Sequence, residues 1–166
     1  MRLDELAERA LRAAASDDPH TRHGRFAQFM QAVEDLVHTG GDRAVFVART
    51  APLIAAAQRD FDRWVAVYTT GIYSGGEDDA LESLRRRTQL EYAQDLYRGT
   101  VAEPMFENLA DDEGDDDLRA RADQLALDRP DGVPPSHRWW RSLDLARPGV
   151  DRSVWYEPRR GVVTSR

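Results

Sequence analysis

The chain has 166 residues and a formal net charge of −7, from 30 acidic and 23 basic side chains. A single domain fits this length, because a chain of about 150 residues already buries roughly 70% of its unfolded surface. Hydrophobic residues at 41% and charged residues at 32% exclude a disordered chain. No apolar run approaches the roughly 18 residues that a membrane span needs, and the opening Met1-Arg2-Leu3-Asp4-Glu5 lacks the apolar core of a signal peptide. A cytoplasmic protein is expected.

The chain contains no cysteine, so disulfides, thiolate nucleophiles, Cys-ligated zinc and iron–sulfur clusters are excluded. All 23 basic residues are arginine, which also removes Schiff-base chemistry and the phosphate-binding lysine of a P-loop. Two isoleucines, one asparagine and no lysine, against abundant Ala, Arg and Asp, suggest a GC-rich coding sequence and a bacterial or archaeal source. Halophilic adaptation would give a similar acidity.

In chain order, Leu3, Leu6, Ala7, Ala10, Leu11 and Ala14 fall at helical spacing. Asp18-Pro19 reads as an N-cap followed by proline at the first helical position. From there Phe26, Phe29, Met30, Val33 and Val37 form a stripe that ends near Gly40-Gly41. A third helical region begins near Asp42, is expected to restart at Pro52, and runs through Phe61, Trp64, Tyr68 and Ile72 to a break at Ser74-Gly75-Gly76. A fourth starts in the acidic Glu77-Asp78-Asp79, which suits the positive end of a helix dipole. It continues through Leu84, Thr88, Tyr92 and Leu96 and stops at Gly99. Residues 104–110 and 117–127 read as two shorter helices.

Beyond residue 128 the character changes. Residues 129–166 hold five of the eight prolines and three of the four tryptophans, with eight arginines against four acids, a charge of +4. Residues 1–128 hold fifteen arginines against 26 acids, a charge of −11. The second segment has no helical stripe. Residues 153–157 and 161–164 are spaced to pair as a small hairpin.

Several groups of residues have the composition of a site. His20 and His23 sit three apart, on one side of a first helical turn, where the dipole keeps imidazole neutral and able to bind metal. Further ligands would have to come from Asp17 or His38; the structural alternative is a hydrogen-bonded or surface histidine pair. The run Asp111-Asp112-Glu113-Gly114-Asp115-Asp116-Asp117 contains the letters of an Asp-Asp-x-x-Asp metal motif, but between short helices in a small chain it reads as a solvated acidic loop capping the next helix. The EF-hand pattern fails, because Asp116 and Ala122 stand where its glycine and glutamate belong. Arg85-Arg86-Arg87 reads as intrahelical ion pairing with nearby acids. A net basic face is missing from residues 1–128, which argues against nucleic acid. In His137-Arg138-Trp139-Trp140-Arg141, arginine and tryptophan combine as they do in interface hot spots.

The resulting expectation is an all-α fold: an antiparallel helical bundle of about four main helices plus two short ones over residues 1–128, with an irregular C-terminal arm over 129–166 packed on its own or a neighbouring chain. The function expected is a non-enzymatic interaction protein: an accessory subunit, adaptor, assembly component or acidic inhibitor of the immunity type. Its interface would use Arg138, Trp139, Trp140, Arg141 and Trp155, in self-association or with a protein partner, with no cofactor, nucleic acid or membrane. The alternative is a helical-bundle enzyme or a metal- or small-ligand-binding protein using His20, His23 and nearby carboxylates.

Overall fold

The computed structural model describes residues 2–15, 18–74, 80–107, 109 and 111–124. Seven helices and no strand occur among the described residues. Helix α1 (Leu3–Ala14) turns its Ala7, Ala10, Leu11 and Ala14 side inward. Helix α2 (Pro19–Thr39) starts where Asp18 accepts the Thr21 N–H at 2.8 Å. It ends at Gly40, whose φ of 66° is a left-handed conformation that glycine adopts without strain. Helix α3 (Arg43–Ala56) is capped by Asp42, which accepts from Val45 N–H at 3.0 Å. Helix α4 (Gln58–Tyr73) follows almost directly, then α5 (Ala80–Tyr97), the single turn α6 (Glu103–Phe106) and α7 (Asp112–Gln124).

Three boundaries differ from the sequence expectation. The short helix expected over residues 104–110 is the single turn α6, which ends at Phe106 because Glu107 is extended. Pro52 lies inside α3 and does not start a new helix. Its ring removes one N–H from the ladder but leaves the helix running, and the interruption falls five residues later, at Ala57. The last helix begins at Asp112, well before residue 117, so most of the acidic run forms its first turns. Negative side chains are favourable there, next to the unpaired N–H groups.

Helix α1 packs on α2 and α3, α2 also meets α4 and α5, and α4 lies against α5. The core between them is aromatic. Phe61, Trp64 and Tyr68 are all buried, as the spacing of the third region requires. Phe26 meets Tyr68 edge-on at 5.5 Å and Phe61 at 5.8 Å, while Phe106 of α6 meets Phe61 at 5.1 Å and stacks on Tyr97 at 4.9 Å. Such ring pairs add about 0.5–1.5 kcal/mol each beyond the area they bury.

Helix α5 is enclosed on several sides, packing against α2, α3, α4, α6 and α7. From Ser83 to Ala93 only Arg85 and Arg86 are not buried. Its sequence is nevertheless polar, and Ser83, Arg87, Thr88, Gln89 and Glu91 are all inside. Buried polar groups are stable only when hydrogen-bonded. No described helix is long and apolar enough to cross a membrane.

Candidate functional site

The buried polar groups of α5 reach their partners on two sides. Toward α2 and α4, the Tyr68 hydroxyl donates to Gln89 Oε1, and Gln89 Nε2 donates to Glu34 Oε2. Arg85 closes the set from the rim, donating to Glu34 at 3.2 and 3.4 Å and to Gln31. The Arg86 guanidinium stands 5.6 Å from the centre of the Tyr68 ring and pairs with Glu82 at 3.0 Å. Burial pushes the Tyr68 phenol well above its ordinary pKa, against the opposing pull of Arg86. Tyr68 therefore stays protonated at neutral pH and acts as a fixed hydrogen-bond donor.

Toward α7, Arg87 makes a bidentate pair with Asp115, 2.8 Å from Nε to Oδ1 and 2.9 Å from Nη2 to Oδ2. Its remaining nitrogen donates to Glu91 at 2.9 Å. Burial alone would lower the Arg87 pKa, but the Asp115 bond and the charge of Glu91 outweigh it and raise it. Tyr73 of α4 completes this side: its hydroxyl donates to Asp115 at 3.1 Å and accepts the Asp111 N–H at 3.0 Å. Burial, first of all, pushes the Tyr73 phenol up to about 12. A third link joins α3 to α5. Thr50 donates to the Phe46 carbonyl at 2.7 Å, so the Tyr97 hydroxyl is the donor in the 2.7 Å bond between Tyr97 and Thr50.

These bonds are mutually satisfying: each carboxylate of the set meets a guanidinium or an amide donor. Their chemistry is that of helix pairing, with the donors and acceptors spent on one another.

The acidic run is therefore only partly the solvated loop expected from its sequence. Asp111, Glu113, Asp116 and Asp117 are exposed, but Asp115 is 3% exposed and held by Arg87. The arginine triplet differs in the same way. Arg86–Glu82 and Arg87–Glu91 are the expected pairs one turn apart, while Arg85 and Arg87 also reach Glu34 and Asp115 on other helices.

His20 is exposed and His23 half-buried, in the first turns of α2. The Nδ1 atom of His23 is enclosed without a hydrogen-bond partner. Burial lowers the His23 pKa, helped by the positive charge of Arg86 and of His20. His38 is exposed in the last turn of α2, its ring edge-on to Tyr92 at 6.4 Å. Fifteen residues of helix place it about 22 Å along the axis from His23, too far to share a metal. Among the described residues, no three His, Asp or Glu side chains converge to hold a metal ion. Arg138, Trp139, Trp140, Arg141 and Trp155, with the expected hairpin, lie outside the described residues.

Two surface depressions accompany these networks. A groove of about 440 Å³ runs between the end of α4 and the start of α7, lined by Thr69, Thr70, Tyr73, Ser74, Leu109 and Asp111. A smaller cleft of about 190 Å³ lies beside α6, between Gln94, Arg98, Glu103, Phe106 and Glu107.

The sequence does not foretell the bonds that Glu34, Arg87 and Asp115 make between helices, and it does not single out Gln89. A signal of burial existed for two of these residues: Glu34 lies one turn after Met30 in the apolar stripe of α2, and Arg87 follows Leu84 by three in that of α5. Comparison with known protein families, curated proteins and solved structures gives no match to this chain.

Proposed function

We propose that this chain is a non-enzymatic protein–protein interaction protein of the cytoplasm, an accessory subunit, adaptor or acidic inhibitor. In this reading an antiparallel helical bundle carries an irregular arm, with a small hairpin, over residues 129–166. The arm binds its own body, a second copy or a protein partner through Arg138, Trp139, Trp140, Arg141 and Trp155. The observation that carries the reading is the division of charge, −11 over residues 1–128 against +4 over 129–166, with three of the four tryptophans on the positive side. Charge complementarity directs encounter, and buried indoles supply the short-range term, about 25 cal/mol per Å² of apolar surface removed from water. The internal polar groups support the same reading, since they are engaged in holding helices together. Affinity capture with the full chain, beside the double variant Trp139→Ala/Trp140→Ala, tests it. Proteins retained by the first and lost by the second are expected, or a change in the mass of the free protein in light scattering. Identical retained sets and identical masses would overturn the reading.

One observation favours a second reading, a ligand-binding or catalytic helical protein using His20, His23 and neighbouring carboxylates: the enclosed, unpartnered Nδ1 of His23. Calorimetric titration with Zn²⁺ on the full chain and on His23→Ala distinguishes it. Saturable binding lost in the variant supports a ligand role, and heats equal in the two proteins refute it.

A further inference from the structure

The groove between α4 and α7 has a chemistry suited to a particular occupant. Its aromatic wall is Tyr73, held at the hydroxyl by Asp111 N–H and Asp115. The backbone of Gly114 lies so close to the Tyr73 ring that a Cβ there would stand 2.5 Å from Cδ1. The wall is therefore rigid and ready-made. Beside it are Leu109 and three hydroxyl side chains. Thr69, Thr70 and Ser74 donate their protons to carbonyls within α4, at 3.0, 2.7 and 2.6 Å, leaving oxygen lone pairs toward incoming donors. Its mouth carries carboxylates: Asp111 lines it, and Glu113 and Asp117 are exposed in the adjoining turns of α7. The negative pole at the end of α4 is offset by the positive pole at the start of α7 and by Arg121, which donates to the Tyr73 carbonyl at 3.5 Å. The groove, about 440 Å³, is open along the surface and suits a segment laid across it more than an enclosed small molecule.

We propose that this groove receives segment 137–141 of the same chain, with Trp139 or Trp140 against Tyr73 and Arg138 and Arg141 at the acidic mouth. The proposal rests on the reading of residues 129–166 as a docking arm. Two arguments select this occupant. Its charge and aromatic content are complementary to the groove: two arginines flanking two tryptophans meet a tyrosine wall beside Asp111. Its tether also fits. The described part of α7 reaches Gln124, about 20 Å from its start beside the groove. The twelve residues 125–136 span about 40 Å when extended, twice the distance needed to return along α7. Such a tether holds the segment at an effective concentration on the order of millimolar, so binding within one chain outcompetes a second copy at ordinary protein concentrations.

The absence of cysteine makes the test direct. Two double variants of the full chain are prepared, Ser74→Cys/Ser142→Cys and Arg9→Cys/Ser142→Cys. Ser74 lies in the groove, and Arg9 is exposed on α1, which packs on α2 and α3. Both are oxidised at micromolar concentration under mild conditions. The expected result is a disulfide within single chains that forms at least tenfold faster at position 74 than at position 9. Adding Asp111→Asn and Glu113→Gln should slow that closure severalfold, as should 1 M salt. Equal rates at the two positions, or a disulfide that links two chains, would overturn the proposal. Either result leaves the broader reading to its own test, because affinity capture scores the arm wherever it docks.

Discussion

At the residue scale the informative side chain is Asp115. It sits in a run of six acidic residues whose other described side chains are exposed, and nothing in local spacing marks it. Only the position of Arg87 on the facing helix does so. Removing one partner of a buried pair leaves the other charge uncompensated, at a cost of about 3–5 kcal/mol. Asp115→Asn should therefore lower the urea midpoint sharply, whereas Asp111→Asn, at an exposed position, should leave it unchanged. Equal midpoints for the two variants would contradict the buried pair. His23 carries a pH consequence. Burial, Arg86 and His20 hold its pKa below the ordinary 6.5. Above pH 6.5 both folded and unfolded chains have it neutral, and it contributes no pH dependence. Below 6.5 the unfolded chain takes the proton first, so stability falls with pH until the depressed folded pKa is passed. Replacing His23 with Gln should flatten thermal melts between pH 7 and pH 5; a variant whose melting temperature declines as steeply as the parent would refute this.

At the scale of elements, the ends of helices were readable because their signals are chemical and local. Asp18, Pro19, Asp42, Gly40 and Gly99 each do the capping or left-handed turn their residue type suggests. The interruption at Ala57 was not readable, since alanine is the best helix former and Pro52 draws the expectation to itself. The surround of α5 was equally hidden. Its apolar stripe predicts one buried face, but enclosure on several sides arises from five other helices, which periodicity in a single helix does not encode. Two glycines separate propensity from packing. Gly24 lies in α2 with nothing within 4 Å of a prospective Cβ. Gly24→Ala should stabilise by about 0.5–1 kcal/mol through propensity alone. Gly114→Ala enjoys the same gain in α7 but meets Tyr73, and overpacking of that kind costs about 1–3 kcal/mol. The second substitution should lower the melting temperature while the first raises it. Parallel shifts in calorimetry would show that the α4–α7 contact is looser than described.

At the scale of the whole molecule, the all-α class followed from periodicity and is the class observed among the described residues, while the candidate groove was invisible to sequence because its walls come from Thr69, Thr70, Tyr73 and Ser74 on one side and Leu109 and Asp111 on the other. Sequence separation also orders the assembly in time. Helices α1, α2 and α3 lie within the first 56 residues and pack on one another through α1. The polar bonds of α5 instead reach 51 and 55 residues back to Glu34 and 28 residues forward to Asp115. Loop closure must precede such long-range contacts, so the N-terminal trio is expected to gather in the folding transition state and the polar bonds of α5 to close afterwards. In chevron measurements Phe29→Ala should slow folding, while Gln89→Ala and Asp115→Asn should leave folding rates nearly unchanged and accelerate unfolding. A slower folding limb in Gln89→Ala would reverse that order. The hydrophilic side chains inside this molecule then act as a clock: they set how long a folded copy lasts before it opens, and have little influence on how quickly it forms.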